Sequence, residues 1–410
     1  MIGGDNVNAR VTGNLISELR KSKGYTQSEL AKKLNVSDKT ISKWENGIGY
    51  PEITQFPALS NLFGVSIDYL LTGERVGICV AGNMIVDMVK SIDDFPKIGM
   101  LSEIKEISRA VGGCAPNTAI NLVKIDNSLP VSVVGCVGDD ENGSYLKSVM
   151  QRHGINTGLV KTIEKISTAF SDVISLEKGE RTFFSYRGAN DLFSPNDINV
   201  SSLKCRMLHF GYILLLASFD ADDNEYGTVL ARFLDKVQKR GIKVSIDVVS
   251  NNTLSEYPKK IIPALKYTDY AIMNELECCN IWGLNPYSED GVLDIEVIKE
   301  AMKKTMDAGV KEKVIIHCKK AGFCLSSNGE FNMVGSLIID DSMIKGSVGA
   351  GDAFCAGALY GIYNDYNDKE ILEFASAAAL CNLFEVNSID GMKNKDEIFK
   401  IMSAYKRYEL

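Results

Sequence analysis

The stretch Gly346-Ser347-Val348-Gly349-Ala350-Gly351-Asp352-Ala353-Phe354 runs directly into small residues at 355–360. Gly-Ala-Gly at the start of a helix lets successive backbone N–H groups converge on an anion with no bulky side chain in the way. An aspartate in the first turn, beside that anion hole, is placed to take a proton from an attacking hydroxyl. Phosphoryl transfer asks for little else: a base, positioning, and donors plus Mg²⁺ for the transferred charge. The same residues also suit a packed loop–helix junction with an N-terminal carboxylate facing the helix dipole.

Outward from that segment, apolar β-rich runs recur at 76–81, 131–137, 207–212, 242–248, 270–273 and 314–318. Helical patterns lie between several of them, at 228–239 and 292–307. Buried strands alternating with helices predict a mostly parallel sheet covered on both faces. Two amphipathic, hairpin-like stretches interrupt the pattern, at 101–111 and 168–186, the second turning at Lys178-Gly179-Glu180. Strands polar on one face suit a small sheet covering a site. The chain contains no Gly-Lys dipeptide, no G-x-G-x-x-G and no G-x-S-x-G, which removes the main support for P-loop, dinucleotide-binding and esterase readings.

Read together, these motifs resemble the ribokinase/PfkB sugar kinases over residues 76–395. Gly349-Ala350-Gly351-Asp352 matches that family's C-terminal signature, and Gly112-Gly113-Cys114-Ala115-Pro116-Asn117 its Gly-Gly-x-x-x-Asn substrate motif. Asn83 and Asp87 match its sugar-binding positions, Asn274-Glu275-Leu276-Glu277 its Asn-x-x-Glu motif, and Gly179 to Asn190 its second lid region. The resemblance implies an α/β/α sandwich with a small β-sheet lid, ATP and Mg²⁺ as cofactors, and transfer to an alcohol group. It makes Asp352 the base and Gly349, Ala350 and Gly351 the anion hole. Asn83, Asp87, Gly112, Gly113, Asn117 and Arg187 fall to the sugar; Asn274, Lys319, Gly322 and Ser376 to the nucleotide. Glu277 falls to Mg²⁺ through water. Taken singly, Gly112-Gly113 also suits a turn, Asp87 a surface carboxylate and Arg187 a solvated lid arginine.

Three departures stand out. Gly346-Ser347 replaces the family's Asp-Thr, which argues against a monovalent-cation site. His317-Cys318-Lys319 replaces a Thr-Leu-Gly motif on the nucleotide side, and Asp247-Val248-Val249-Ser250 replaces Asp-x-Asn-x-Arg.

Residues 1–73 have another texture. Leu15, Ile16 and Leu19 form one apolar helical face before the break at Lys23-Gly24. Thr26-Gln27-Ser28-Glu29 is a capping box that starts a helix over 27–34, and Ser37 caps a second one running through Trp44. Short helices follow at 58–63 and, capped by Ser66, 67–71. Two short helices joined by a tight turn are the geometry of a helix-turn-helix whose second helix enters the major groove. On that reading Ser37, Asp38, Lys39, Thr40, Ser42 and Lys43 face DNA, and Gln27 sits at a helix N-terminus suited to a phosphate. The run from Tyr25 to Gly47 resembles the Cro/C1-type (XRE) regulator domain, which implies a five-helix head that binds operator DNA as a homodimer. A helical docking module that does not bind DNA is the plainer alternative.

Composition agrees with two units, 1–73 and 76–410. The chain has 410 residues and a net charge of −8, which by itself argues against nucleic acid. Residues 10–50, however, carry eight Lys/Arg against four Asp/Glu. No run approaches the ~18–20 apolar residues of a membrane span, and the start lacks a signal-peptide pattern. The expectation is a cytoplasmic protein with no membrane partner and with reduced, buried thiols. The three histidines (His153, His209, His317) lie far apart without metal-ligand spacing, which argues against a His/Cys metal site. The leading expectation is an ATP-dependent kinase for a small ribose- or fructose-like sugar fused to a DNA-binding regulator head. Its rivals are a sugar-sensing regulator on an inactive kinase fold, and a nucleoside kinase.

Overall fold

The computed structural model describes residues 8–176, 181–250 and 254–409. Its N-terminal unit has five helices: α1 (Ala9–Ser22), α2 (Gln27–Leu34), α3 (Asp38–Glu45), α4 (Phe56–Phe63) and α5 (Ile67–Thr72). Four of them begin where a side chain satisfies first-turn N–H groups. Thr26 Oγ1 accepts from the Glu29 N–H at 3.2 Å while Glu29 Oε2 accepts from the Thr26 N–H at 2.7 Å, closing the capping box. Ser37 Oγ caps α3 through the Thr40 N–H at 3.1 Å, and Ser66 Oγ caps α5 through Tyr69 at 3.0 Å. The fourth helix starts two residues earlier than expected, at Phe56, because Pro57 fits a first turn that needs no N–H donor. Leu30, Ile41, Trp44, Leu59 and Phe63 form a core of their own. A bidentate pair, Arg20 Nε–Glu45 Oε1 at 2.5 Å and Arg20 Nη2–Glu45 Oε2 at 2.9 Å, ties α1 to the end of α3.

The following chain contains β1 (Ile78–Gly82), β2 (Ile85–Ile92), β3 (Glu106–Gly112), α6 (Cys114–Ile125), β4 (Val131–Gly138), α7 (Glu141–Arg152), β5 (Asn156–Ile163), β6 (Phe170–Leu176), β7 (Arg181–Tyr186) and α8 (Ala189–Leu192). After these come β8 (Met207–Ile213), α9 (Ala217–Asp220), β9 (Asp222–Asp223), β10 (Gly227–Thr228), α10 (Val229–Gln238), β11 (Lys243–Val248), α11 (Tyr257–Leu265) and β12 (Tyr270–Asn274). The chain then runs α12 (Glu275–Ile281), α13 (Ile295–Asp307), β13 (Lys313–His317), β14 (Ala321–Ser326), β15 (Phe331–Gly335), α14 (Ala350–Tyr363), α15 (Asp368–Leu383) and α16 (Lys395–Ala404).

Nine strands form one sheet in the order β15-β14-β13-β12-β11-β8-β1-β4-β5. The seven from β13 to β5 are parallel; β14 and β15 add an antiparallel edge. The expected apolar runs are its central strands, buried on both faces between two apolar layers. The antiparallel edge was not anticipated. A second sheet, β3-β2-β6-β7, stands apart from the first. The stretch 101–111 is one strand of it rather than a hairpin. Its antiparallel partner is β2, whose Asp87 and Lys90 masked a strand pattern. The turn expected at 178–180 lies outside the described residues.

The head rests on the sheet's outer strand, β5. Asn156 Nδ2 donates to the Ser60 and Val65 carbonyls at 2.9 and 3.1 Å, closing the end of α4. A side chain on Gly158 would begin 1.6 Å from the Asn61 carbonyl oxygen, so only glycine admits this approach. Lys204 lies 4.8 Å over the Tyr69 ring and 3.6 Å from Glu18. Helix α4 thereby covers an edge strand that would otherwise present unpaired backbone groups.

Candidate functional site

The loop before α14 turns at Gly349, whose φ of 80° suits glycine, and α14 opens with Ala350, Gly351 and Asp352. Fourteen helical residues stand behind those first amides, so the positive end of the helix faces the space in front of the loop. The Ala350 N–H is taken by the Ser347 carbonyl at 3.3 Å, which leaves the later first-turn amides as the donors of the expected anion hole.

Asp352 is 4 % exposed and held at both oxygens. Asn117 Nδ2 donates to Oδ2 at 2.9 Å and the Tyr212 hydroxyl to Oδ1 at 2.5 Å. Burial pushes its carboxyl up to about 6; the two hydrogen bonds pull the other way, and the charge of Asp87 adds to the rise. The Tyr212 phenol is held well above its ordinary range by burial first, then by Asp352, so it stays a donor. The carboxylate is therefore oriented, nearly dry and poised close to neutrality, as a general base requires.

Of the residues expected on the sugar side, Asp87 lies on β2, Gly112 ends β3 and Asn117 lies on α6. Asp87 Oδ2 is 2.5 Å from where a Gly112 side chain would begin, so its carboxylate sits over the Gly112 backbone. Asn117 is 4 % exposed, and its Oδ1 is buried without a partner. A sugar hydroxyl is the kind of donor that vacancy fits. Asn83 does another job: its Oδ1 accepts from the Cys114 N–H at 3.0 Å and pins the start of α6. Gly113, φ 89°, is the N-cap of that helix. Arg187 is half exposed and faces Asp191 at 3.8 Å.

On the other side of Gly351 opens a cavity of about 500 Å³ lined by Lys319, Phe354, Ser376 and Leu380 among others. His317 packs against Phe354 in its wall, ring centroids 4.8 Å apart and tilted by 37°, and burial depresses the imidazole to about 4, so it is neutral there. Lys319 and Ser376 fall where a nucleotide was expected. Gly322 does not line the cavity; it pairs with His317 in the sheet behind it. Asn274 and Glu277 form the capping box of α12, with Glu277 Oε2 accepting from the Asn274 N–H at 2.9 Å and Oε1 from Ser250 Oγ at 2.8 Å. Burial lifts the Glu277 carboxyl to about 7. Each oxygen accepts one hydrogen bond and keeps a further lone pair, so the carboxylate can still hold a cation through water.

Sequence reasoning missed Tyr212, which lies 140 positions from Asp352. A tyrosine closing an apolar strand at its carboxyl end was the signal. It also missed that Cys114, His209 and Asp247 meet in the core, since spacing alone pointed away from such a cluster.

On the head, Ser37, Asp38, Lys39 and Lys43 are exposed along α3, and Thr40 and Ser42 are half exposed. Gln27 departs from the expected phosphate role in one respect: its side-chain amide is held by Glu45 Oε2 at 2.8 Å. Among the described residues no helix is long and apolar enough to cross a membrane.

Residues 76–395 match the family profile described as pfkB family carbohydrate kinase, and residues 16–70 that described as helix-turn-helix. Ribokinase from Schizosaccharomyces pombe is 27 % identical over 312 residues, covering 73 % of this chain and 90 % of that protein. A 5-dehydro-2-deoxygluconokinase from Listeria innocua is 24 % identical, covering 73 % of this chain and 88 % of the relative. The solved ribokinase of Arabidopsis thaliana, complexed with ribose and ATP, superposes with a TM-score of 0.66 at 20 % identity, covering 80 % of this chain and 99 % of that one.

Proposed function

Because the chain belongs to the pfkB family of carbohydrate kinases, we propose that it transfers the γ-phosphoryl group of ATP to a hydroxyl of a small sugar, and that its helix-turn-helix head binds operator DNA. The observation that carries the kinase reading is Asp352, held between Asn117 and Tyr212 at the mouth of a glycine-rich helix start. A sugar hydroxyl bound beside Asp87 and Asn117 gives its proton to an Asp352 oxygen as its own oxygen attacks phosphorus. The first-turn amides of α14 stabilise charge on the moving phosphoryl group. Lys319 and Ser376 line the nucleotide side, with Asn274 and Glu277 beyond. Mg²⁺, held by Glu277 through water, would supply neutralisation of phosphate charge. The chain divides at 73–76 into a head and a kinase domain, and the assembly is a homodimer, which supplies the two reading heads a palindromic operator requires.

His317 and Lys319 stand where relatives carry a different nucleotide-side motif, and that favours a second reading, a sugar-responsive regulator without turnover. ATP turnover with a panel of pentoses, hexoses, sugar acids and nucleosides separates the two. Sugar-dependent ADP release supports the kinase. Saturable sugar binding with no ADP release would leave the sensor, and turnover confined to nucleosides would replace the sugar. For the head, a mobility shift with steep salt dependence is expected. Its absence would leave a docking module.

A further inference from the structure

Directly beneath Asp352 lies a group of side chains that phosphoryl transfer does not use. Cys114 opens α6, His209 lies on β8, Asp247 near the end of β11, and Cys355 one helical turn beyond Asp352. All four are buried. The ligand atoms of Cys114, His209 and Asp247 lie within 4.8 Å of one another. His209 Nε2 is 3.6 Å from Cys114 Sγ and 3.5 Å from Cys355 Sγ, and Nδ1 is 3.1 Å from Ser245 Oγ.

That arrangement is unusual for a plain apolar core. With Nδ1–H donating to Ser245 Oγ, Nε2 has a single lone pair, yet two thiols converge on it. A tetrahedral ion with bonds of about 2.3 Å to sulfur and about 2.0–2.1 Å to nitrogen has S···N edges of about 3.5 Å, close to the 3.6 Å between Cys114 Sγ and His209 Nε2. Ser245 supplies the outer-shell partner that fixes a ligating imidazole. The donor set of thiol, imidazole and carboxylate is too soft for Mg²⁺ and suits Zn²⁺ or a similar borderline ion.

We infer that Cys114, His209 and Asp247 form a three-ligand binding site for one soft divalent cation such as Zn²⁺, with Cys355 beside it. Burial holds the Asp247 carboxyl well above its ordinary range. On binding, its proton and the Cys114 thiol proton leave to solvent as one O–metal and one S–metal bond form, so a dication replaces two protons and the charge of the buried cluster does not change. Burial holds both thiols well above their ordinary range, and it holds the imidazole at about 3, already neutral and ready to ligate. The bound ion ties the first turn of α6, which carries Asn117, to the central strands β8 and β11.

The test uses the full chain freed of metal by chelation, titrated with Co²⁺ alone as a spectroscopic stand-in and with Zn²⁺ as competitor. Expected are one equivalent bound, a near-ultraviolet thiolate-to-cobalt band abolished by Zn²⁺, and about two protons released per ion in weak buffer. Cys114→Ser and Asp247→Asn should each weaken binding at least tenfold, while Cys318→Ser, at a half-buried thiol elsewhere, keeps the band. Ser245→Ala leaves every ligand in place and should weaken binding about 10–100-fold, which keeps the test decisive should a cysteine variant fail to melt cooperatively. No thiolate band at one equivalent, a band that survives Cys114→Ser, or undiminished affinity in Ser245→Ala would overturn the site.

Discussion

Replacing Tyr212 with phenylalanine removes one of the two hydrogen bonds to Asp352 and little else, because the ring and its packing stay. The hydroxyl stands 2.5 Å from Oδ1 in a dry setting, and it favours the ionised carboxylate, since only that form accepts at both oxygens. A hydrogen bond to a charged group is worth about 1.5–3 kcal/mol, and about 1.4 kcal/mol is a factor of ten in a proton equilibrium. With Asp352 near 6 in the intact protein, losing the bond moves the acidic limb of the rate profile up by about one to two pH units. The base must be ionised to work, so activity falls as pH drops through that limb. At pH 7 the ionised fraction goes from about nine-tenths to between about a half and a tenth, a loss of about two- to tenfold that disappears near pH 9. The assay is kcat/KM for the preferred sugar from about pH 5 to about pH 9, alongside wild type. A uniform fall at every pH with the limb unmoved would refute the placement of Asp352 as the titrating base.

Three further outcomes bear on the head. Gly158→Val puts side-chain atoms into the Asn61 carbonyl; the head should lift from β5, and limited proteolysis should cut between Thr72 and Val76 far faster, while the body's melting transition stays. Glu45→Gln breaks a largely buried bidentate pair with Arg20 and should cost the head about 2–3 kcal/mol, read as an earlier unfolding transition by calorimetry. In DNA binding, Lys39→Ala and Lys43→Ala should each lower affinity at every sequence and reduce the slope of log K against log salt by about one; an unchanged slope would mean that α3 does not face phosphate.

Much of this was readable along the chain because the forces concerned are local. The capping box of Thr26 and Glu29 needs only neighbours three apart, and the glycine-rich start of α14 carries its anion-facing amides in consecutive residues. The central strands show as unbroken apolar runs because both their faces are buried. Strand β2 did not, since the charged Asp87 and Lys90 interrupt its two faces and its partners lie about 20 and 80 positions away, at β3 and β6. Tyr212 on Asp352, Asn156 on the end of α4, and the meeting of Cys114 with His209 depend on contacts between residues about a hundred positions apart, which no spacing rule reaches. The double role of Asn83 is of the same kind: a polar residue just past a strand reads as a ligand contact until the amide it caps is seen.

The role of Asp352 as the base for transfer to a sugar hydroxyl is tested most directly by Asp352→Asn. Asparagine keeps the size and can still face Tyr212, but it cannot accept a proton. Single-turnover phosphorylation of the preferred sugar should fall by about 10²–10⁴-fold, while sugar affinity, measured separately by calorimetry, stays within a few fold. Phosphorylation at an undiminished rate in the variant would contradict the mechanism.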